Sequence, residues 1–226
     1  WTFNLARNNT DQQVYPRQGI DMNLSLQITP PYSAFRGDDV DYKSMSDEDR
    51  YRWIEYHKWS GKIAVFTKLV GDLVLMTRAQ FGYLGYYNRD LGYSPFEGFL
   101  VGGDGMSGYS TYGSEVISLR GYDNYSLTPV VDGAYAGNVY DKFTLELRYP
   151  VILQPSSTIY ALVFLEGGNC WADIRDFNPF EIKRSAGIGL RVMLPVVGLL
   201  GVDWGYGFDS TDDNKSQFHF VIGQQF

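Results

Sequence analysis

Residues 19–29 alternate without a break: Ile20, Met22, Leu24, Leu26 and Ile28 fall on one set of positions, and Asp21, Asn23, Ser25, Gln27 and Thr29 on the other. A period of two sends successive side chains to opposite faces of an extended chain, so this segment predicts a strand lying between two media. Residues 1–8 repeat the pattern, with Trp1, Phe3 and Leu5 set against Thr2, Asn4, Ala6 and Arg7. Residues 59–66 predict a third, noisier strand, and residues 73–83 a fourth with Arg78 and Gln80 on its polar face. In the fifth, residues 141–149, Phe143, Leu145, Leu147 and Tyr149 face outward and Thr144, Glu146 and Arg148 inward. Residues 158–165, 185–194, 199–208 and 217–226 complete a set of nine.

The connections also alternate, in length. Residues 14–19, 69–72, 150–156 and 195–198 read as turns, whereas residues 30–50, 85–140, 171–183 and 209–216 are long and mostly polar. Outer-membrane barrels have short periplasmic turns and longer extracellular loops. The expected fold class is therefore all-β, nine antiparallel strands of a transmembrane outer-membrane β-barrel, with the C terminus periplasmic. A soluble β-sandwich alternates too and is the competing architecture. Aromatic residues crowding the strand ends (Tyr83, Tyr86, Tyr87, Tyr149, Tyr206, Phe208, Phe226) favour the barrel, where such rings form girdles at the membrane interfaces.

Composition sharpens this picture in three places. The chain holds 18 Tyr, 14 Phe, 5 Trp and 25 Gly, which suits short strands and turns better than helices. It has no apolar run of about 18 residues, so no helix is expected to span a bilayer, but a barrel strand needs only ~9–11 residues, apolar at alternate positions. A net charge of -7 without clustered Lys or Arg argues against a nucleic-acid partner. Cys170 is the only cysteine, which excludes an internal disulfide and a thiolate metal site. The chain opens at Trp1 inside a strand with no signal peptide, and single-chain bacterial barrels close with an even number of strands, so further strands are expected ahead of Trp1.

Candidates for covalent or nucleotide chemistry are weak. Gly102, Gly103, Gly105, Gly108 and Gly113 are followed by no Gly-Lys-Ser/Thr, so they read as tight turns in a crowded loop rather than a phosphate cradle. His57 and His219 are the only histidines; neither comes with a nucleophile and an orienting group, and both read as ordinary polar-face or rim residues. Cys170 reads as a buried or rim thiol. Asp38, Asp39, Asp41, Asp47, Glu48 and Asp49 are a possible collection of cation ligands near lipopolysaccharide, with a solvated loop as the default. No enzyme activity, cofactor, metal or nucleotide is expected.

Over nearly all of its length the chain resembles the BamA family of outer-membrane insertases. Leu119-Arg120-Gly121-Tyr122 is similar to the family's Val-Arg-Gly-Phe motif, and it follows the Gly-rich residues 96–103. Residues 185–191 and the terminal residues 218–226 extend the match in the family's order and spacing. The resemblance implies a sixteen-stranded barrel, of which these nine strands are the eighth to the sixteenth, preceded by periplasmic POTRA domains absent from residues 1–226. It also implies that residues 85–140 form an extracellular loop folded into the lumen, although residues 104–118 are an extra stretch relative to the family. Arg120 lies in that loop and needs acidic partners there. Glu146 faces the lumen by alternation and Glu166 stands at the family's acidic position, so Arg120 is expected to pair with one or both.

The last strand is expected to close the barrel. Phe218, Phe220 and Ile222 face lipid, His219, Val221 and Gly223 face inward, and Phe226 ends the chain as a sorting signal. Gly223 removes a side chain where the strand can bend, which weakens pairing with the first strand. The resemblance then implies a lateral gate between first and last strands, through which β-barrel proteins are folded and inserted. The implied partners are outer-membrane lipid and lipopolysaccharide, unfolded β-barrel clients and accessory subunits of the assembly machinery. A two-partner-secretion or lipid-export translocator, and further off a passive porin, are the alternatives.

Overall fold

A computed structural model describes residues 1–36, 40–42, 44–105, 113–154, 157–194, 198–211 and 215–223. In chain order the strands are β1 (Thr2–Asn8), β2 (Gly19–Ile28), β3 (His57–Lys68), β4 (Val74–Gly85), β5 (Glu97–Val101), β6 (Gly113–Ile117), β7 (Val130–Val131), β8 (Ala134–Tyr135), β9 (Val139–Gln154), β10 (Ser157–Trp171), β11 (Lys183–Leu194), β12 (Gly198–Gly207) and β13 (Ser216–Ile222). Nine of them form one sheet in the order β1-β2-β3-β4-β9-β10-β11-β12-β13, with every neighbouring pair antiparallel. The nine strands expected from alternation are these nine, and sequence neighbours pair throughout except where β5 to β8 intervene.

Burial decides between barrel and sandwich. On β9, Phe143, Leu145 and Leu147 are 46%, 46% and 40% exposed, whereas Thr144, Glu146 and Arg148 are 1%, 4% and 3% exposed. A soluble sandwich buries its apolar face. Here the apolar face is the bare one, continued across the sheet by Val163 and Leu165, Ile188 and Leu190, Val202 and Trp204, then Phe218 and Phe220. Such a band is stable when lipid covers it.

Several strands run further than the alternation indicated. Pro150 was expected to open a turn, yet β9 continues to Gln154. The register shifts between Ile159 and Tyr160, so that Tyr160 lies opposite Pro150 and Ile159 opposite Ile152, leaving Val151 as the extra residue of a bulge. A bulge is where a strand tolerates a residue without an N–H. At its other end β10 extends through Gly167, Gly168 and Cys170 to Trp171, pairing with β9 as far as Val139. Conversely, β13 ends at Ile222: Gly223 adopts φ +88° and its N–H donates to Leu199 O at 2.8 Å. Phe226 lies outside the described residues, as do Asp38, Asp39 and Gly108.

The long connection between β4 and β9 is an organised unit laid against the polar face of the sheet. β5 and β6 pair in parallel, and Gly103 bridges Leu119 just beyond them. Phe99, Val101, Ile117, Leu119 and Tyr122 from this unit form one apolar cluster with Leu84, Tyr140 and Cys170 from the sheet. Phe99 and Tyr140 meet edge to face with ring centroids 4.8 Å apart. Nearer the turns, the β1–β2 connection sends Tyr15 under the sheet, where its hydroxyl donates to Asp72 O and Arg148 O, both at 2.9 Å. Tyr15 packs there with Phe66, Met76, Tyr160, Leu162 and Phe164. The acidic stretch is also partly structural. Asp47–Arg50 is a one-turn helix capped by Ser46, whose hydroxyl accepts from Asp49 N at 3.3 Å, with Asp47, Glu48 and Asp49 at its positive end.

Candidate functional site

Arg120 reaches the sheet because the backbone around it turns sharply. Gly102 and Gly103 adopt φ +126° and +77°, and a Cβ on either would strike the facing residues Asp123 and Asn124. These left-handed positions let residues 101–105 run back against residues 117–124, with Leu119 N–H donating to Gly103 O at 3.0 Å. Leu119 is fully buried in the apolar cluster, so the next residue points the other way, into the polar face.

There the guanidinium meets three strands. Its Nη2 lies 2.7 Å from Glu146 Oε1 on β9 and 2.8 Å from Glu166 Oε1 on β10, and its Nη1 lies 3.2 Å from Asp203 Oδ2 on β12. The Arg120 backbone N–H donates to Glu166 Oε2 at 2.9 Å. The Phe164 ring, a neighbour of Glu146 across the β9–β10 pair, closes the site with its centroid 3.7 Å from the guanidinium carbon. Each carboxylate has a further partner as well: Glu146 is held by Arg148 Nε at 2.8 Å, Glu166 by Lys142 Nζ at 3.1 Å and Thr144 Oγ1 at 3.1 Å, and Asp203 by Arg191 Nη1 and Nη2 at 2.6 and 2.7 Å. Burial works against the charge on Arg120, but Glu166, Glu146 and Asp203 outweigh it and raise the guanidinium pKa above its ordinary value. Buried charges persist when paired and hydrogen-bonded in this way.

Gly121 follows in the left-handed region, φ +88°, with its backbone on bare strand. A Cβ at Gly205 would stand 2.7 Å from Gly121 N, one at Gly207 2.5 Å from Gly121 O, and one at Gly121 itself 2.9 Å from the carbonyl carbon of Tyr206. Gly205 and Gly207 thus leave a slot on β12 for the loop. Gly121 N–H donates to His219 Nε2 on β13 at 2.8 Å, and Tyr122 Oη donates to Arg184 O at 2.7 Å. Gly189, across from Asp203 in the β11–β12 pair, vacates the space that Asp203 and Arg191 fill.

Arg120, Glu146 and Glu166 therefore converge, and Leu119, Gly121 and Tyr122 anchor the same turn. Phe218, Phe220 and Ile222 stand exposed on the outer face of β13, away from this cluster, and Gly223 lies past the strand's end. Three participants had been passed over. Asp203 shares its face with Gly201, Gly205 and Gly207, and an acid alternating with glycines on a polar face was the available signal. Lys142 lies inside the strand expected over residues 141–149 and on its inward positions, but only Thr144, Glu146 and Arg148 were singled out there. His219 was expected to be an ordinary polar-face residue; it is buried and accepts a backbone hydrogen bond, because Asp203, its cross-strand neighbour, stands in the same row under the loop. His57, by contrast, sits beside Tyr83 and Tyr87 and accepts from Trp59 Nε1 at 3.2 Å. Among the described residues no group of three or more His, Cys, Asp or Glu gathers as a metal site.

Among solved structures, BamA from Haemophilus ducreyi lacking POTRA domains 1–3 superposes with a TM-score of 0.66 at 20% identity, covering 97% of this chain and 41% of that one. The chain thus spans under half the length of that structure, and the likeness establishes an outer-membrane β-barrel fold of BamA type. No curated protein sequence matches the chain. The family model that describes the Omp85 superfamily domain matches residues 1–226, the whole chain. On that match, with the lipid-facing sheet and the loop motif seated in it, the chain belongs to the Omp85 superfamily.

Proposed function

We propose that this chain is the carboxy-terminal barrel wall of a subunit that folds and inserts β-barrel proteins into the outer membrane, through a lateral gate beside β13. On this reading residues 85–140 form a loop folded into the lumen, the C terminus is periplasmic, and the remaining strands and POTRA domains lie ahead of Trp1. The observation that carries the reading is the stapling by Arg120 and Gly121. One turn of the loop grips side chains from β9, β10, β12 and β13, so these strands move as a block. A fixed block gives an opening seam a firm side, and the far edge of β13 is the side that a client strand would join by main-chain hydrogen bonds. Phe218, Phe220 and Ile222 carry that edge into lipid, next to which the bilayer is thinned. The partners are unfolded β-barrel clients, outer-membrane lipid with lipopolysaccharide, and accessory assembly subunits. No nucleotide, nucleic acid or covalent chemistry is involved.

The test is insertion of an unfolded β-barrel client into liposomes carrying the full-length protein, with a cysteine pair placed across the first and last strands. Oxidation should abolish insertion and reductant restore it. Unchanged insertion with the seam locked would refute the gate. A translocator of the same superfamily would instead pass an exported substrate while leaving the client unfolded, and a porin would give high steady conductance in planar bilayers.

A further inference from the structure

The bond between the loop and the closing strand depends on the protonation of one side chain. Gly121 N–H donates to Nε2 of His219 across 98 residues of sequence, at 2.8 Å, in a buried site. A histidine accepts at Nε2 only as the neutral ring with its proton on Nδ1; the imidazolium donates from both nitrogens. Gly121 has little room to turn its N–H elsewhere, since its backbone is wedged against Gly205, Tyr206 and Gly207. The closing strand is also short of ladder, pairing with β12 over seven residues, as the other edge strand β1 does with β2, where β9 and β10 pair over fifteen.

Charges face His219 from every side of the site. Asp104 and Arg120 come from the loop, Asp203 from β12 and Glu166 from β10. Lys142, Glu146 and Arg148 on β9, Arg78 on β4, Tyr160 on β10 and Arg191 on β11 line the same cavity of about 30 Å³, room for a water or two that can carry a proton to the ring. Asp203 is already committed to Arg191 and Arg120, and Glu166 to Arg120 and Lys142, so a proton on His219 has carboxylates nearby but meets a donor at its existing contact.

We propose that His219 is the positioning residue that fastens the closing strand to the arginine loop, and that protonation of its ring releases the strand. The proposal rests on reading β13 as the gate strand, and it adds acid-triggered release to that gate. In the neutral state the loop holds β12 and β13 together. In the protonated state two N–H groups confront each other, and the last strand loses its tie to the loop at Gly121.

Hydrogen exchange of the full-length protein in liposomes, without client, tests this at pH 8 and pH 4.5. After correction for intrinsic rates, amides of residues 216–223 should exchange on the order of tenfold faster at the lower pH, the factor that one net hydrogen bond sets. In His219→Gln the amide oxygen reaches the same N–H and does not titrate, so protection should persist and the pH step vanish. His219→Leu should exchange fast at both pH values. A wild-type protein without the step, or His219→Gln retaining it, overturns the proposal. Because no client is present, that result leaves the insertion reading standing, and a failed insertion assay leaves this fastening standing.

Discussion

The polar faces of β2 and β9 obey the same alternation and have opposite fates. On β2, Asp21, Asn23, Ser25 and Gln27 remain partly or fully accessible. On β9, Thr144, Glu146 and Arg148 are buried in a net of ion pairs. The strands share a periodicity, and each is paired on both sides within the sheet; they differ in what lies above them. The unit between β4 and β9 covers the β9–β13 end and places Arg120 there, whereas among the described residues nothing comparable sits on β2. A two-residue period assigns a side chain to a face, and the cover on that face decides whether it solvates or carries structure.

The comparison is broken most severely at its centre. Arg120→Ala removes the cation that three buried carboxylates share and leaves each with a remaining cationic partner, and should destabilise the barrel by about 3–5 kcal/mol, the cost of removing one partner from a buried ion-pair network. Urea unfolding in micelles would measure it, and protease would then cut the loop residues that wild type protects. A smaller effect is expected at the slot: Gly205→Val places a side chain where Gly121 N lies, and overpacking of this kind costs about 1–3 kcal/mol. Its specific sign is that loop protection is lost while all nine strands remain. The control is Asn23→Ala on β2, which should change stability by no more than about 0.5 kcal/mol. A large loss there would mean that the β2 face is as structured as that of β9, and the contrast would collapse.

The legibility of the site followed the same line. Glu146 was placed by alternation alone, because alternation is a property of the extended backbone. Glu166 and the Leu119–Tyr122 turn came from a motif resemblance. Asp203 and His219 stand in neighbouring strands and share a cross-strand row, but that row exists only once β12 and β13 are in register, and no local pattern states a register. Lys142 was hidden for a related reason: its role lies in what the loop brings to it, the Ser118 carbonyl at 2.6 Å and Glu166. Pro150 misled because a proline reads as a strand end, while β9 accommodates it beside a bulge at Val151 and continues.

The sequence by itself determined the nine strands of the main sheet, the two faces of each and the alternation of short and long connections, since all of these are written in spacing along one chain. It also held the lipid-facing aromatic and aliphatic band. Tertiary structure decided which polar positions become a site, because that depends on residues up to 98 apart being brought within hydrogen-bond distance. The glycines at 121, 205 and 207 illustrate the reason: each is a missing side chain, and an absence gains meaning only from the backbone that comes to occupy it.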